Sequence, residues 1–395
     1  MTGSVRLWLR RVQQGFVSMR TATVSQRHDV LGKAKMITML HAVIMAGGSG
    51  TRFWPASRHG RPKQLLALSS DTPLLRVTAD RILPLVGAEQ LWIVTTASTA
   101  EATRELLDEV SPDHILAEPT GRDTAACAAF AARVVLHHDP DAVCLVLPAD
   151  HVILDEDRFR SAMAAGAGAV EEHGGLLTFG IKPTHAETGY GYLRLGGKHF
   201  ETGGWPVHHL EQFVEKPDRE TASEYLEDGG YLWNSGMFAW RATDLLAEVR
   251  RQLPLLFEGI GVIGNAIGTR AEREVLEEVY PHLPRTSVDF GIMESARQCW
   301  TMPVDFDWSD VGSWPALAGV LAADANGNTS RGRTVDLESR NNILVGDGVL
   351  IAAIGVSDLV VVATPDAVLV VPRSEAQKVK GVVEALRERG WDDVL

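Results

Sequence analysis

Cysteine is scarce in this chain: Cys127, Cys144 and Cys299 are too few and too scattered for a disulfide framework or a paired-cysteine metal site. They read as small buried hydrophobes in a reducing, cytoplasmic setting. Base is in deficit as well. A formal charge of -13 opposes nucleic acid as a partner, because nucleic-acid-binding domains carry a basic footprint. No run approaches the roughly 18 apolar residues of a membrane span, so no membrane partner is expected. Two common phosphate-loop spacings are also missing. The dinucleotide fingerprint Gly-x-Gly-x-x-Gly fails at Phe53, and a P-loop needs its lysine directly after the second glycine, whereas Lys63 lies far beyond Gly50.

What is present is concentrated in residues 46–64, which join a bare-backbone loop to fixed cations. Gly47, Gly48 and Gly50 let successive amides point into one anion-binding concavity, and Thr51 adds a hydroxyl. Arg52, Arg58, Arg61 and Lys63 follow, offering planar forks and one compact ammonium for phosphate oxygens. A solvated basic loop beside an ordinary glycine turn has the same composition. The preceding run His41-Ala42-Val43-Ile44-Met45 is apolar and β-branched, as in a buried parallel strand. A loop at that strand's carboxyl end sits where open α/β sheets bind ligands.

The 395 residues suffice for a large domain and a smaller one. Residues 1–38 carry Arg6, Arg10, Arg11, Arg20, Arg27, Lys33 and Lys35 against Asp29 alone. That is the balance of a transit peptide, but the expectation is a disordered basic extension or an upstream start, with Met36 or Met39 the functional one. Residues 39–324 alternate strand-like runs (91–95, 143–147, 176–180) with helix-like ones (123–137, 158–172, 242–252, 271–279). This predicts an α/β domain, a mostly parallel sheet with helices on both faces. Residues 325–395 change texture. Short valine-rich runs at 349–354, 359–363 and 368–371 predict a small β module, a partial β-helix of one or two coils. A terminal helix follows, with Ser374 and Gln377 in capping-box spacing, Val379, Val382, Val383 and Leu386 facing the core, and Gly390 as its stop. Its expected role is structural, covering a sheet edge or forming a subunit contact.

Several polar sets stand apart from this framework. The strand ending at Leu147 runs into Pro148-Ala149-Asp150-His151, which puts a carboxylate at a strand end beside the loop. Asp310, in Trp308-Ser309-Asp310-Val311-Gly312-Ser313-Trp314, is a second acid. Mg²⁺ takes one or two carboxylates plus substrate phosphate oxygens, so the pair suits it where one Asp does not. Glu187-Thr188-Gly189-Tyr190-Gly191, Glu215-Lys216-Pro217 and Trp233-Asn234-Ser235-Gly236-Met237-Phe238 supply acids, an amide and hydroxyls suited to a sugar. Each alone also reads as a satisfied loop or strand end.

In this order the motifs resemble the sugar-phosphate nucleotidyltransferases, and within them the mannose-1-phosphate guanylyltransferases. The more discriminating marks are Phe53-Trp54-Pro55 with Ser57-Arg58 and Pro62-Lys63-Gln64, Glu118-Pro119 with Arg122-Asp123-Thr124, and the 308–314 run. The likeness spans about residue 40 to the C-terminus. It implies a Rossmann-like catalytic domain binding GTP over Ala46, Gly47, Gly48, Ser49, Gly50 and Thr51, with Arg52 and Lys63 as the catalytic cations on its phosphates. Glu118, Arg122, Thr124, Pro148 and Asp150 complete the implied nucleotide set. Glu187, Gly189, Tyr190, Glu215, Lys216 and Asn234 are implied around mannose 1-phosphate, and Asp150 and Asp310 around Mg²⁺. A homodimer through the C-terminal module is one option for the terminal helix, and the sequence does not give the oligomeric state. Relatives usually read Asp-Tyr-Ala and Glu-Lys-Thr where this chain has Asp289-Phe290-Gly291 and Glu294-Ser295-Ala296. Enzymes for other sugars or bases, and a catalytically silent homologue that only binds sugar nucleotides, share much of the pattern. His151 reads as structural.

Overall fold

A computed structural model describes residues 40–48 and 50–395. The expectations about residues 1–38 and about Ser49 lie outside the described residues. The chain opens with β1 (Leu40–Ala46), β2 (Leu91–Thr96), β3 (Ile115–Glu118) and β4 (Val143–Pro148), followed by the short β5 (Val152–Ile153). Next come β6 (Leu176–Ile181), β7 (Gly191–Thr202), β8 (Trp205–Glu215), β9 (Tyr231–Arg241) and β10 (Cys299–Val304). The main sheet runs β3-β2-β1-β4-β9-β6-β10-β8-β7. β9 and β8 run against the other strands, and the rest share one direction, so the expected mostly parallel α/β sheet is present.

Alternation along the strands explains why both faces are covered. Val43, Cys144 and Val146 join the core beneath the helices Asp123–His138, Ala242–Gln252 and Pro254–Ala266. Ala42, Ile44, Leu145 and Leu147 point the other way, into the core under Leu74–Val86 and Glu156–His173. Apolar side chains at every position of a strand demand a layer on each side. β1 pairs with β2 on one flank and with β4 on the other, which opens a crevice at their carboxyl ends.

Two features depart from a plain βα alternation. β9 is an antiparallel strand wedged between β4 and β6, and β7–β8 form a long hairpin with several register shifts. By sequence, Trp233 to Phe238 is only a polar set. In the fold it is the middle of a central strand, so Asn234 rides on rigid structure.

The C-terminal module holds β12 (Thr329–Arg331), β13 (Thr334–Leu337), β14 (Ile343–Gly346), β15 (Ile351–Ile354), β16 (Leu359–Ala363) and β17 (Val368–Pro372), after β11 (Trp308–Ser309), which pairs with β5. Parallel stacking of β12 on β14 on β16, and of β13 on β15, gives the expected coils. Buried Asn342 links successive coils, donating to Asn328 Oδ1 at 3.0 Å and accepting from Leu359 N–H at 3.0 Å. The capping box does not form. Ser374 and Gln377 lie in a 3-10 turn, Arg373–Lys378, and the helix proper is Val379–Glu388 with no side-chain cap. Backbone continuity from that turn already supplies the first carbonyls, which leaves a serine cap little to add. Val379, Val383 and Leu386 bury against the coils, and the helix stops at Gly390, φ 68°.

Candidate active site

The module's core is continuous with the loop after β1. Phe53, Trp54, Leu66 and Leu74 share it with Trp314, Ile343, Val360 and Val383. Trp314 meets Phe53 edge-on at 4.9 Å and donates to Trp54 O at 3.2 Å. Arg58 forks onto Asp366 at 3.0 and 3.1 Å, and Arg61 reaches Asp347 at 3.2 Å. Two of the four expected phosphate cations are thus bound to the C-terminal module.

Lys63 is the exception. It is buried, and its Nζ donates to Asp150 Oδ2 at 2.8 Å and to the Asp310 carbonyl at 2.6 Å. Gly50 makes this approach feasible. Its φ is 59°, and a Cβ there would stand 2.4 Å from Lys63 Cβ, so both conformation and contact exclude other residues. Burial pushes the Asp150 carboxyl up, but the Lys63 ammonium outweighs it and holds the group below its usual range. His151 Nδ1 accepts from Trp308 Nε1 at 3.1 Å, which leaves the ring's Nε2 toward Asp150 at 3.9 Å. Burial holds the imidazole below its ordinary pKa. This is the geometry of a neutral strut.

Asp310 sits in a turn closed by its own neighbours: Gly312 N–H donates to Oδ1 at 3.0 Å, and Val311 takes φ 43°. Left-handed backbone at a β-branched residue is strained, and it holds the acid at the cleft. Tyr190 O–H also donates to Asp310 Oδ1, at 2.6 Å. The Asp150 carboxylate and the Asp310 backbone carbonyl therefore meet on the Lys63 ammonium, while the Asp310 carboxylate takes the Tyr190 phenol. Among the described residues, no group of three or more His, Cys, Asp or Glu side chains is arranged to hold a metal. Two carboxylates facing one cleft suit a hard cation that takes its remaining ligands from water and phosphate.

A cleft of about 600 Å³ opens over these groups. Of the residues singled out by sequence, Ala46, Gly47, Gly48, Glu118, Thr124, Pro148, Asp150, Gly189, Tyr190, Glu215, Asn234 and Asp310 all line it. Lys63 reaches it through its two partners. Arg52 is exposed, and Gly50 and Thr51 lie off the cleft wall. Arg122 stands just before the helix Asp123–His138, off the wall, with Nε buried. Glu187 is held locally, accepting from Gly189 N–H at 2.8 Å. Lys216 pairs with Glu215 on the rim. A larger cavity of about 850 Å³, walled by Arg158, Trp205, Tyr225 and Asp305, contains none of these residues.

Further contacts bind the expected residues to others that the sequence does not single out. Glu118, at the end of β3, takes the hydroxyl of Tyr280 on Oε1 and stands 2.9 Å from where a Cβ on Gly47 would lie. Burial pushes the Glu118 carboxyl up to about 7. Nothing in the spacing points to Tyr280, which reaches Glu118 across 162 positions. Gln64 Nε2 donates to Ala46 O at 2.5 Å, fastening the cation segment to β1; its place beside Lys63 in the Pro-Lys-Gln motif is the signal that could have found it. Asp289 and Arg285 also line the cleft.

An enzyme that brings two phosphate-bearing substrates together needs fixed positive charge, acids for a counter-cation and a crevice at strand ends, and that class is what this cleft defines. Residues 41–327 match the nucleotidyl transferase family, and residues 332–386 the MannoseP isomerase/GMP-like beta-helix domain. The chain belongs to the nucleotidyl transferase family. It is 40% identical over 356 residues to mannose-1-phosphate guanylyltransferase of Escherichia coli K12, covering 89% of this chain and 74% of that one. Xanthan biosynthesis protein XanB of Xanthomonas campestris is 40% identical over 354 residues, covering 88% and 73%. Among solved structures, mannose-1-phosphate geranyltransferase from Thermus thermophilus superposes with TM-score 0.80 at 37% identity, covering 89% of this chain and all of that one. Enzymes of this family generally use a divalent metal.

Proposed function

We propose that the chain transfers the guanylyl group of GTP to α-D-mannose 1-phosphate, releasing diphosphate and forming GDP-mannose in the cytoplasm, with Mg²⁺ as cofactor. One observation carries the chemistry: the buried Lys63 ammonium lies between Asp150 and Asp310 at the edge of a glycine-floored cleft. The names of the relatives support guanine and mannose over other pairs.

A phosphate oxygen of the sugar substrate attacks the α-phosphorus in line, and diphosphate leaves. The nucleophile needs no base, because a phosphate monoester with a second pKa near 6 is largely dianionic at neutral pH. The obstacle is repulsion. Two unit charges at about 4 Å repel by about 1 kcal/mol in water and about 4 at an effective dielectric of 20. Lys63 lowers that barrier from the edge of the cleft, Arg52 and Lys216 add positive charge, and the backbone of Gly47 and Gly48 gives the triphosphate a close seat. Asp150 and Asp310 would hold Mg²⁺, which when bound neutralises phosphate charge. Glu215 and Asn234 orient the sugar. The neutral strut His151 takes no proton.

The test is pyrophosphate release from GTP, ATP, UTP and dTTP, each paired with mannose, glucose and N-acetylglucosamine 1-phosphates, with and without Mg²⁺. GTP with mannose 1-phosphate should dominate, and chelation should abolish it. Preference for another pair would reassign the substrates, and binding without turnover would favour the silent homologue. Self-association through the C-terminal module is part of the proposal: Val335, Leu337 and Ile354 are exposed on its β13–β15 face.

A further inference from the structure

The short helix Val288–Gly291 stitches the two sides of the cleft together. Val288 N–H donates to Thr124 Oγ1 at 2.8 Å, and Ala125 N–H to Thr286 O at 3.2 Å. Both bonds fix the segment to the start of the helix Asp123–His138. One residue further, Asp289 Oδ1 accepts from Asn234 Nδ2 at 2.7 Å. The orientation of that amide is determined. Gly236 N–H, which can only donate, bonds Asn234 Oδ1 at 3.2 Å, and Thr178 Oγ1 bonds the same oxygen at 2.9 Å. The NH₂ group is therefore the one turned to Asp289.

Asp289 lines the cleft on the same side as Glu215, and burial together with that neighbour pushes its carboxyl up to about 6. The charged groups facing it are Glu215 and Lys216 from the end of β8; Arg285 lines the same cleft, and Glu294 faces Glu215. A pair of carboxylates repels a phosphate but offers acceptors to hydroxyls, whose protons need them. Lys216 already answers Glu215, and Lys63 is engaged by Asp150. The acidic side of the cleft is left to uncharged donors.

We propose that Asp289 binds the sugar, its carboxylate accepting a hydrogen bond from a ring hydroxyl of the sugar phosphate while Asn234 holds it in place. The assignment rests on the functional reading above and adds a second acceptor to Glu215, so that two points on the ring are read. Because Val288 is tied to Thr124, the acceptor is also fixed relative to the nucleotide side.

Asp289→Asn keeps the shape and an oxygen for Asn234 while removing the charge. Pyrophosphate release is measured with each substrate varied in turn. KM for the sugar phosphate should rise roughly 10- to 100-fold, the scale of a hydrogen bond to an ionised acceptor, with KM for GTP unchanged. A second panel uses mannose 1-phosphates each lacking one hydroxyl. One analogue should lose the same factor in the parent and show no penalty in the variant. Equal rises in both KM values, an unchanged sugar KM, or penalties that persist for every analogue overturn the assignment. Failure of the functional reading looks different. A parent that prefers another sugar phosphate reassigns the substrate, and the KM split of the variant, read on that sugar, still decides the role of Asp289.

Discussion

Replacing Lys63 by methionine keeps an unbranched chain against Phe53 and deletes the ammonium that contacts Asp150 at 2.8 Å and the Asp310 carbonyl at 2.6 Å. Two losses should follow. The first is stability. Breaking a buried ion pair by removing one partner costs about 3–5 kcal/mol, and the partial exposure of Asp150 puts this case at or below the low end. The second is turnover. A unit charge about 4 Å from a phosphate oxygen is worth about 4 kcal/mol at an effective dielectric of 20, so kcat/KM should fall roughly 10²- to 10³-fold. The assay is a cycle of Lys63→Met, Asp150→Asn and the double variant, each followed by chemical denaturation and by pyrophosphate release. Asp150→Asn should return stability to the Lys63→Met background without returning turnover, because the double variant still lacks the lysine's charge on the substrate and has also lost a metal-holding carboxylate. Recovery of both would mean that the two charges only answer each other, and the reasoning would be refuted.

Three further outcomes are expected. Asp310→Asn keeps an oxygen for Tyr190 and Gly312 but should lower turnover roughly 10²- to 10³-fold and raise the Mg²⁺ concentration needed for half-activity. Parent-like Mg²⁺ titration would remove Asp310 from the metal site. Glu118, buried and raised to about 7, favours the protonated folded state. Between the unfolded value of about 4.5 and 7 the unfolded chain binds fewer protons, so stability falls as pH rises through that window and the full penalty is present above it. Glu118→Gln should therefore be more stable than the parent at pH 8 by about 2–4 kcal/mol, with the gap closing below pH 4.5 in denaturation curves; a pH-independent gap would contradict this. Trp314→Ala deletes a fully buried ring joining loop and module. It should cost about 3–5 kcal/mol and raise KM for GTP, and an unchanged melting profile would show that the module does not brace the loop.

Some of this was legible before the fold was known. A strand with apolar residues at every position is bounded by its own composition, so β1, β4 and β16 fall where expected, and the helix Ala242–Gln252 follows from its periodicity. Asp150 was placed at the cleft by the strand that precedes it. The β7–β8 hairpin was not legible, because much of it is exposed and its register slips repeatedly, which erases alternation. β9 was hidden because its residues looked like ligand chemistry. Arg58 and Arg61 carried a charge signal that the fold spends on Asp366 and Asp347, contacts between segments far apart in sequence. Asp289 escaped for a related reason: a four-residue helix has no period to read, and its partner Asn234 lies on another element.

The central claim concerns where the phosphates sit, and a crystal structure with GDP-mannose and Mg²⁺ bound tests it most directly. The diphosphate should lie over Gly47 and Gly48 within reach of Lys63, with the cation on Asp150 and Asp310 and the mannose between Glu215 and Asn234. A product seated in the larger cavity beside Trp205 and Tyr225, or a cation bound away from both aspartates, would contradict the account.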